Sequence, residues 1–148
     1  MKRILSCLLC VCLLLTFAVS ASAANEGLVV SCTETQLDNG ITIIEETLEY
    51  ASLRTSQKQG TKKQTYKHGD TVIAIIAIKA MFVYDGLKSA VVSKQVTQTD
   101  TYSGWTYTQN SFTSVANTVT LAGKLSKLFA ANVAVNMSLT CDANGNIS

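Results

Sequence analysis

The side chains suited to acid–base or nucleophilic catalysis are few in this chain of 148 residues. His68 is the single histidine, which excludes HExxH zinc sites and any site built from two imidazoles. A Ser-His-Asp triad would need His68 as base with an acid such as Asp70, and the sequence has no G-x-S-x-G elbow to present a nucleophile. We therefore expect no catalytic triad, no metal site and no cofactor.

Carboxylates are the other candidates for chemistry. Glycoside cleavage needs two carboxylates about 5 to 10 Å apart. The acids from which a pair could be drawn are Glu45, Glu46, Glu49, Asp85 and Asp100. Their spacing selects no pair. The segment 142–146, Asp-Ala-Asn-Gly-Asn, begins like a calcium loop, but its glycine stands one residue too early for an EF-hand, so it predicts a turn.

The N-terminus has the features of a secretory signal peptide. Lys2 and Arg3 precede an uncharged apolar run at 4–19, and Ala21 and Ala23 occupy the positions that a signal peptidase reads. We expect cleavage after Ala23, which gives a signal peptide at 1–23 and one exported domain at 24–148. An uncleaved anchor is the alternative, disfavoured because the run is shorter than the ~20 residues that span a bilayer. The expected location is extracellular or at the cell surface.

Removal of the signal leaves two of the five cysteines, Cys32 and Cys141. An even pair of thiols in an oxidising compartment predicts a disulfide, with two free thiols as the alternative. Cys141 continues the apolar face of a strand at 133–141, and Cys32 has the same parity as Leu28 and Val30. Both sulfurs are therefore expected to point into the core.

Charge is balanced overall but segregated along the chain. Without Lys2 and Arg3 the exported domain has ten basic and ten acidic side chains, and it lacks the positive footprint that nucleic-acid binding requires. Residues 26–49 hold acids and no base, and the following stretch holds bases and no acid. These bases are Arg54, Lys58, Lys62, Lys63 and Lys67. They form either a basic patch for an anionic polymer or, as we favour, a solvated hairpin beside the acidic strand.

Two aromatic residues give the remaining hint of binding. Trp105, the single tryptophan, and Tyr107 have the same parity on an expected strand. If exposed, they would form a platform for sugar rings or peptide; if buried, Trp105 would anchor the core, which is the interpretation we favour.

Alternating patterns and glycine turns define the elements that must position these residues. Turns are expected at Asn39-Gly40, Gln59-Gly60, His68-Gly69, Asp85-Gly86, Ser103-Gly104 and Asn144-Gly145. Besides a first strand around Cys32, strands are expected at 41–50, 62–67, 72–84, 89–99, 105–113, 117–123 and 133–141. Residues 124–131 fit either a helical turn or strand and loop. The pattern predicts a single all-β domain, an immunoglobulin-like antiparallel β-sandwich.

The segment 72–84 is apolar on both faces, with Lys79 as its one polar interior residue. Because a lysine can keep its ammonium in water, the face of Phe82 is expected in the core and the face of Lys79 nearer the surface. The outer face must be covered by another part of the chain, by a ligand or by a second copy, so 72–84 is a possible surface for homo-oligomers.

Several of these residues resemble a known group of sequences. Gly60–Tyr66, Phe82–Gly86, Trp105 and the ending Ser138–Ser148 with its Leu-Thr-Cys-Asp-Ala-Asn-Gly-Asn motif are similar to an uncharacterised family of small secreted all-β proteins of Gram-positive, often gut, bacteria. The resemblance covers roughly residues 40–148 and implies bacterial secretion and an all-β domain, but no activity.

The sequence as a whole favours a secreted, non-catalytic binding or cell-surface-associated module. Its expected partners are a cell-wall polymer, a glycan or another secreted protein, and not nucleic acid. The alternatives are a small glycan-active enzyme and a secreted antagonist or toxin that presents 72–84 to membranes.

Overall fold

The computed structural model describes residues 27–51 and 56–148, so the expected signal peptide and Arg54 lie outside the described part. The described residues form eight strands: β1 (Leu28–Gln36), β2 (Ile41–Tyr50), β3 (Gln57–His68), β4 (Thr71–Tyr84), β5 (Ser89–Thr101), β6 (Thr106–Val115), β7 (Thr118–Ser126) and β8 (Val133–Thr140). No segment within these ranges is a helix able to span a membrane.

The strands form two antiparallel sheets that pack face to face. The large sheet has the order β1-β2-β3-β4-β5 and the small sheet the order β6-β7-β8. The prediction of an all-β sandwich is confirmed. Immunoglobulin domains share the two layers, but their strands have Greek-key connections. Here every pair of neighbouring strands is consecutive in the chain, so each sheet is a meander.

Most strands and turns lie where the residue pattern predicts them, but one of the expected turns does not form. Five of the six expected X-Gly turns are turns, and their glycines all have positive φ. Gly60 instead lies within β3, which begins at Gln57. A Cβ at Gly60 would be 2.9 Å from Cγ2 of Ile147. This glycine is therefore required for a close approach between β3 and the C-terminal segment, not for a turn.

The core lies between the two sheets. From the large sheet, the inner face of β4 contributes Ile76, Ile78 and Phe82, all fully buried. The small sheet contributes the alternating apolar residues of β7 and β8, among them Leu121 and Leu139. The prediction that the Phe82 face of β4 is the core face is confirmed. The Lys79 face is the outer face of the large sheet, where Lys79 lies over the ring of Tyr50.

The C-terminal segment closes one end of the sandwich. Thr140 and Ser148 exchange two backbone hydrogen bonds, and Ile147 is buried against the core. The turn between them is held by Asp142, whose Oδ1 accepts hydrogen bonds from the backbone N–H groups of Asn144 and Asn146 at 2.8 Å. The side-chain amide of Asn146, which donates to Oδ2 at 2.6 Å, lowers the pKa of Asp142 together with these backbone bonds. The segment is a turn, as its sequence predicts.

The structure contains no Cys32–Cys141 disulfide. Cys141 is buried in the core, but Cys32 is exposed and pairs with Glu46 on the outer face of the large sheet. The expected inward orientation of Cys32 is wrong because the register shifts between Val29 and Ser31. Such an irregularity moves every later side chain of the strand to the other face.

Candidate functional site

The meander brings four of the connections between strands to one end of the sandwich, which we call the loop end. A pocket of about 400 Å³ lies there, lined by residues of the β1–β2, β5–β6 and β7–β8 connections and by His68 and Thr71, the strand ends that flank the β3–β4 connection. The residues that line this loop-end pocket are Asn39, Ile41, His68, Thr71, Ile73, Ser103, Trp105 and residues 127–131.

The pocket has an apolar floor and a polar rim. Ile41, Ile73 and Trp105 are buried members of the core that reach the pocket from below. The rim carries an amide, hydroxyls, an imidazole and an ammonium group, all on exposed residues. Their sources are Asn39, Thr71, Ser103, His68 and Lys127. A cavity of this size with a few polar groups around apolar walls is typical of sites for small ligands.

One wall of the pocket is an unusual β-turn at Lys127–Ala130, closed by a hydrogen bond of 3.1 Å from the N–H of Ala130 to the carbonyl of Lys127. Its two central residues are Leu128, 78% exposed, and Phe129, 99% exposed. Phe129 has φ +62°. Glycine or asparagine normally occupies such a position, because positive φ is strained for a bulky side chain. The turn thus holds a phenyl ring in solvent at a backbone cost of about 1–2 kcal/mol.

Trp105 and Tyr107 do not form an exposed aromatic platform. Trp105 is 9% exposed, as expected for a core anchor, and its accessible edge faces the loop-end pocket. Tyr107 is partly buried against Gly123, and its hydroxyl has no hydrogen-bond partner among the described residues. Burial raises the pKa of Tyr107.

The basic residues of β3 lie beside the acidic strand β2, and they do not form one patch. Lys58 pairs with Glu49 at 2.5 Å and Lys62 with Glu45 at 3.3 Å on the inner face of the large sheet. Lys63 pairs with Glu46 at 2.5 Å on the outer face. Lys67 has no salt bridge within the described part of the chain. The arrangement agrees with a hairpin beside the acidic strand, but Lys62 is buried rather than solvated.

The carboxylates considered for glycoside cleavage already have partners. The three glutamates of β2 are in the salt bridges just described, and Glu45 also accepts a hydrogen bond of 2.7 Å from Gln64. Asp85 accepts hydrogen bonds from the backbone N–H groups of Lys88 and Leu87, which lower its pKa. Asp100 accepts a hydrogen bond from Gln98 in a shallow polar groove beside β5. Among residues 27–51 and 56–148, no cluster of His, Cys, Asp or Glu suits a metal ion.

The sequence patterns did not reveal the loop-end pocket. Its rim comes from four turns that are far apart in the chain, and only the order of strands in the sheets brings them together. One local signal was present: Leu128 and Phe129 follow strand β7 in a connection that has no glycine, asparagine or proline at its centre.

Comparison with known proteins adds no family to this description. The chain matches no protein-family model, no curated protein and no solved structure.

Proposed function

We propose that this chain is an exported, non-catalytic binding module that holds a sugar unit of a bacterial cell-wall polymer in the loop-end pocket. The observation that carries the proposal is the Lys127–Ala130 turn, which keeps Phe129 almost fully exposed at positive φ beside a pocket. Strained residues persist only where the surrounding structure holds them, and they cluster at active sites and ligand-binding sites, so an exposed and strained phenyl ring beside a pocket favours a ligand there.

The composition of the pocket favours a saccharide among the candidate ligands. A pyranose ring has an apolar face of C–H groups and an edge of hydroxyl groups. The exposed ring of Phe129 offers a stacking surface, and the rim around it offers the donors and acceptors of Asn39, Thr71, Ser103 and His68. Lys127 adds the single positive charge of the lining, which suits the acidic groups of wall polymers.

Binding rather than catalysis is supported by the chemistry at the pocket. The lining contains no carboxylate and no cysteine, and His68 supplies its one imidazole. The five acids considered for glycoside cleavage are elsewhere, each with a hydrogen-bond or ion-pair partner. The membrane-active alternative is less well supported, because β4 lies between β3 and β5 with its inner face in the core.

The proposal is tested by titrating the protein with N,N′-diacetylchitobiose, a soluble disaccharide with the acetamido groups of wall glycans. Trp105 reports binding through its fluorescence because it is the single tryptophan and lines the pocket. We expect a saturable change in emission, and amide shifts in two-dimensional NMR spectra that are confined to the four loop-end connections.

Phe129→Asn removes the stacking ring and keeps a residue that tolerates positive φ, so it should weaken binding at least tenfold, about 1.4 kcal/mol. Leu87→Asn is the matched control, because Leu87 is 91% exposed in the β4–β5 turn at the opposite end of the sandwich. It should leave binding unchanged. Shifts that cluster away from the loop end, or no shift at a saturating sugar concentration, would refute the proposal.

A further inference from the structure

The four edge strands of the sandwich differ in how their edges are protected. The edges of β5 and β6 are tied to each other, since Lys94 of β5 donates to the carbonyl of Phe112 in β6 at 2.9 Å. The edge of β8 is covered at two places. The side chain of Gln64 donates to the carbonyl of Asn136 at 3.0 Å, and the backbone of Ser148 pairs with that of Thr140. In the described residues, no backbone hydrogen bond joins β1 to any element other than β2.

β1 is exposed along its whole length. All nine residues of Leu28–Gln36 are exposed, and Leu28 and Val29 present apolar side chains at 70% and 50% exposure. Edge strands are normally protected from pairing with other chains by lysine, proline, a β-bulge or a covering element. β1 contains neither lysine nor proline, and its one charged residue is Glu34. Its single irregularity, between Val29 and Ser31, leaves Ser31–Gln36 in regular pairing with β2.

We propose that β1 pairs antiparallel with β1 of a second copy of this chain, which joins the two large sheets across a twofold axis. An isologous contact requires a strand that is complementary to itself. The longest such pairing of Leu28–Gln36 uses all nine residues and places the axis at Cys32. In this register Glu34 lies opposite Val30 of the other copy, so the two glutamates do not face each other. The other pairs are Leu28 with Gln36, Val29 with Thr35, Ser31 with Thr33, and Cys32 with itself, and among these residues Val and Thr favour strands.

The second copy fits this edge better than a basic or acidic peptide does. A charged partner would find one glutamate over nine residues, whereas the strand itself supplies an uncharged partner for every position except Val30, which faces Glu34. The contact is small, because one strand pair buries less than the 1,200–2,000 Å² of a standard stable interface. We therefore expect a weak dimer whose population depends on concentration.

Cys32 provides a direct probe of this register. Opposed residues of antiparallel strands have Cα atoms about 4.5 or 5.5 Å apart, and both distances lie within the range that a disulfide bridges. The oxidant diamide takes two electrons and two protons from a pair of thiols and leaves one S–S bond. In the proposed dimer it should link Cys32 to Cys32 of the other copy, whereas Cys141 is buried and should stay reduced.

The experiment measures dimerisation of the purified, reduced protein by sedimentation equilibrium, from micromolar to millimolar concentration. Cys32→Lys places two positive charges at the twofold axis and should weaken the dimer at least tenfold, while Cys32→Ser should retain it. Thr120→Lys is the charge control, because Thr120 is exposed on the central strand of the small sheet. It should behave as the unmodified protein does. Thermal melting of each variant confirms that the monomer stays folded.

Three outcomes would overturn the proposal. The first is a monomer at every concentration, which would also be the result if another part of the same chain covered β1. The second is a dimer that Cys32→Lys leaves intact and that Met81→Lys breaks, which would place the contact on the outer face of β4. The third is a diamide-linked dimer whose peptide map shows a bond other than Cys32–Cys32.

Discussion

At the residue scale, Phe129 is the clearest conflict between local preference and observed structure. Its side chain gains almost nothing from burial and its φ of +62° is strained. Replacement by asparagine, which tolerates the left-handed region, should relieve the strain and raise the free energy of unfolding by about 1 kcal/mol. Chemical denaturation measures this gain. Leu128→Asn, at the neighbouring position without positive φ, should change stability by no more than about 0.5 kcal/mol.

The same variant separates a functional role of Phe129 from a structural one. If the ring is retained for a ligand, Phe129→Asn stabilises the fold and weakens binding, a trade-off typical of functional sites. Loss of stability in this variant would show instead that the ring makes contacts on which the fold depends.

The two cysteines of the domain should differ sharply in reactivity. Burial raises the pKa of the Cys141 thiol and removes it from solvent, whereas Cys32 is exposed on an edge strand. After reduction, iodoacetamide at pH 8 should modify Cys32 rapidly and Cys141 only when guanidinium unfolds the protein. Peptide mass mapping measures both sites. Equal labelling of the two thiols in the folded protein would contradict the buried position of Cys141.

At the element scale, the sequence predicts strands well where one face is buried. β8 alternates strictly and lies where its pattern places it, and the buried face of β4 follows from the position of Lys79. The register irregularity in β1 was not predictable, because it is set by pairing with β2 and reverses the orientation of Cys32. The expected turn at Gly60 is wrong for a similar reason, because its close neighbour Ile147 is distant in sequence.

The two faces of β4 give the sharpest test at this scale. Ile76 is fully buried between the sheets, so Ile76→Asp places an unpaired charge in the core and should abolish cooperative folding. Ala77 is 4% exposed on the outer face, where its cross-strand neighbour is Lys63. Ala77→Asp would lie beside the Lys63–Glu46 ion pair, so the protein should still fold at a cost of about 1–3 kcal/mol.

Thermal melting by circular dichroism compares the two variants. Ile76→Ala keeps the comparison quantitative if Ile76→Asp does not fold, and it should cost about 2–5 kcal/mol. Equal tolerance of aspartate at both positions would mean that β4 does not pack against the small sheet.

At the scale of the whole molecule, local sequence patterns predict the two sheets, but they do not predict the pocket and the open sheet edge that form when the strands assemble. The loop-end pocket depends on which turns meet, and the open edge at β1 depends on which strand is last in the large sheet. The sequence pattern also does not predict the polar contacts between the two sheets. Tyr66 is fully buried and donates to Gln64 at 2.6 Å, and Gln64 in turn donates to the carbonyl of Asn136 in the small sheet.

This bridge between the sheets makes the fold sensitive to alkaline pH. Burial raises the pKa of Tyr66 far above the value of about 10 that it has in an unfolded chain. Above that pH the unfolded state loses a proton that the folded state keeps, so stability should fall as pH rises. The contribution of Tyr66 to this slope is about 1.4 kcal/mol per pH unit.

Tyr66→Phe removes the hydrogen bond to Gln64, so its free energy of unfolding at neutral pH should be about 1 kcal/mol lower. Its stability should nevertheless fall less steeply as the pH rises into the alkaline range. Urea unfolding between pH 8 and 12 measures both effects, with Tyr102→Phe as the solvent-exposed control. An unchanged slope in Tyr66→Phe would mean that its hydroxyl ionises in the folded state, which is incompatible with a buried bridge between the sheets.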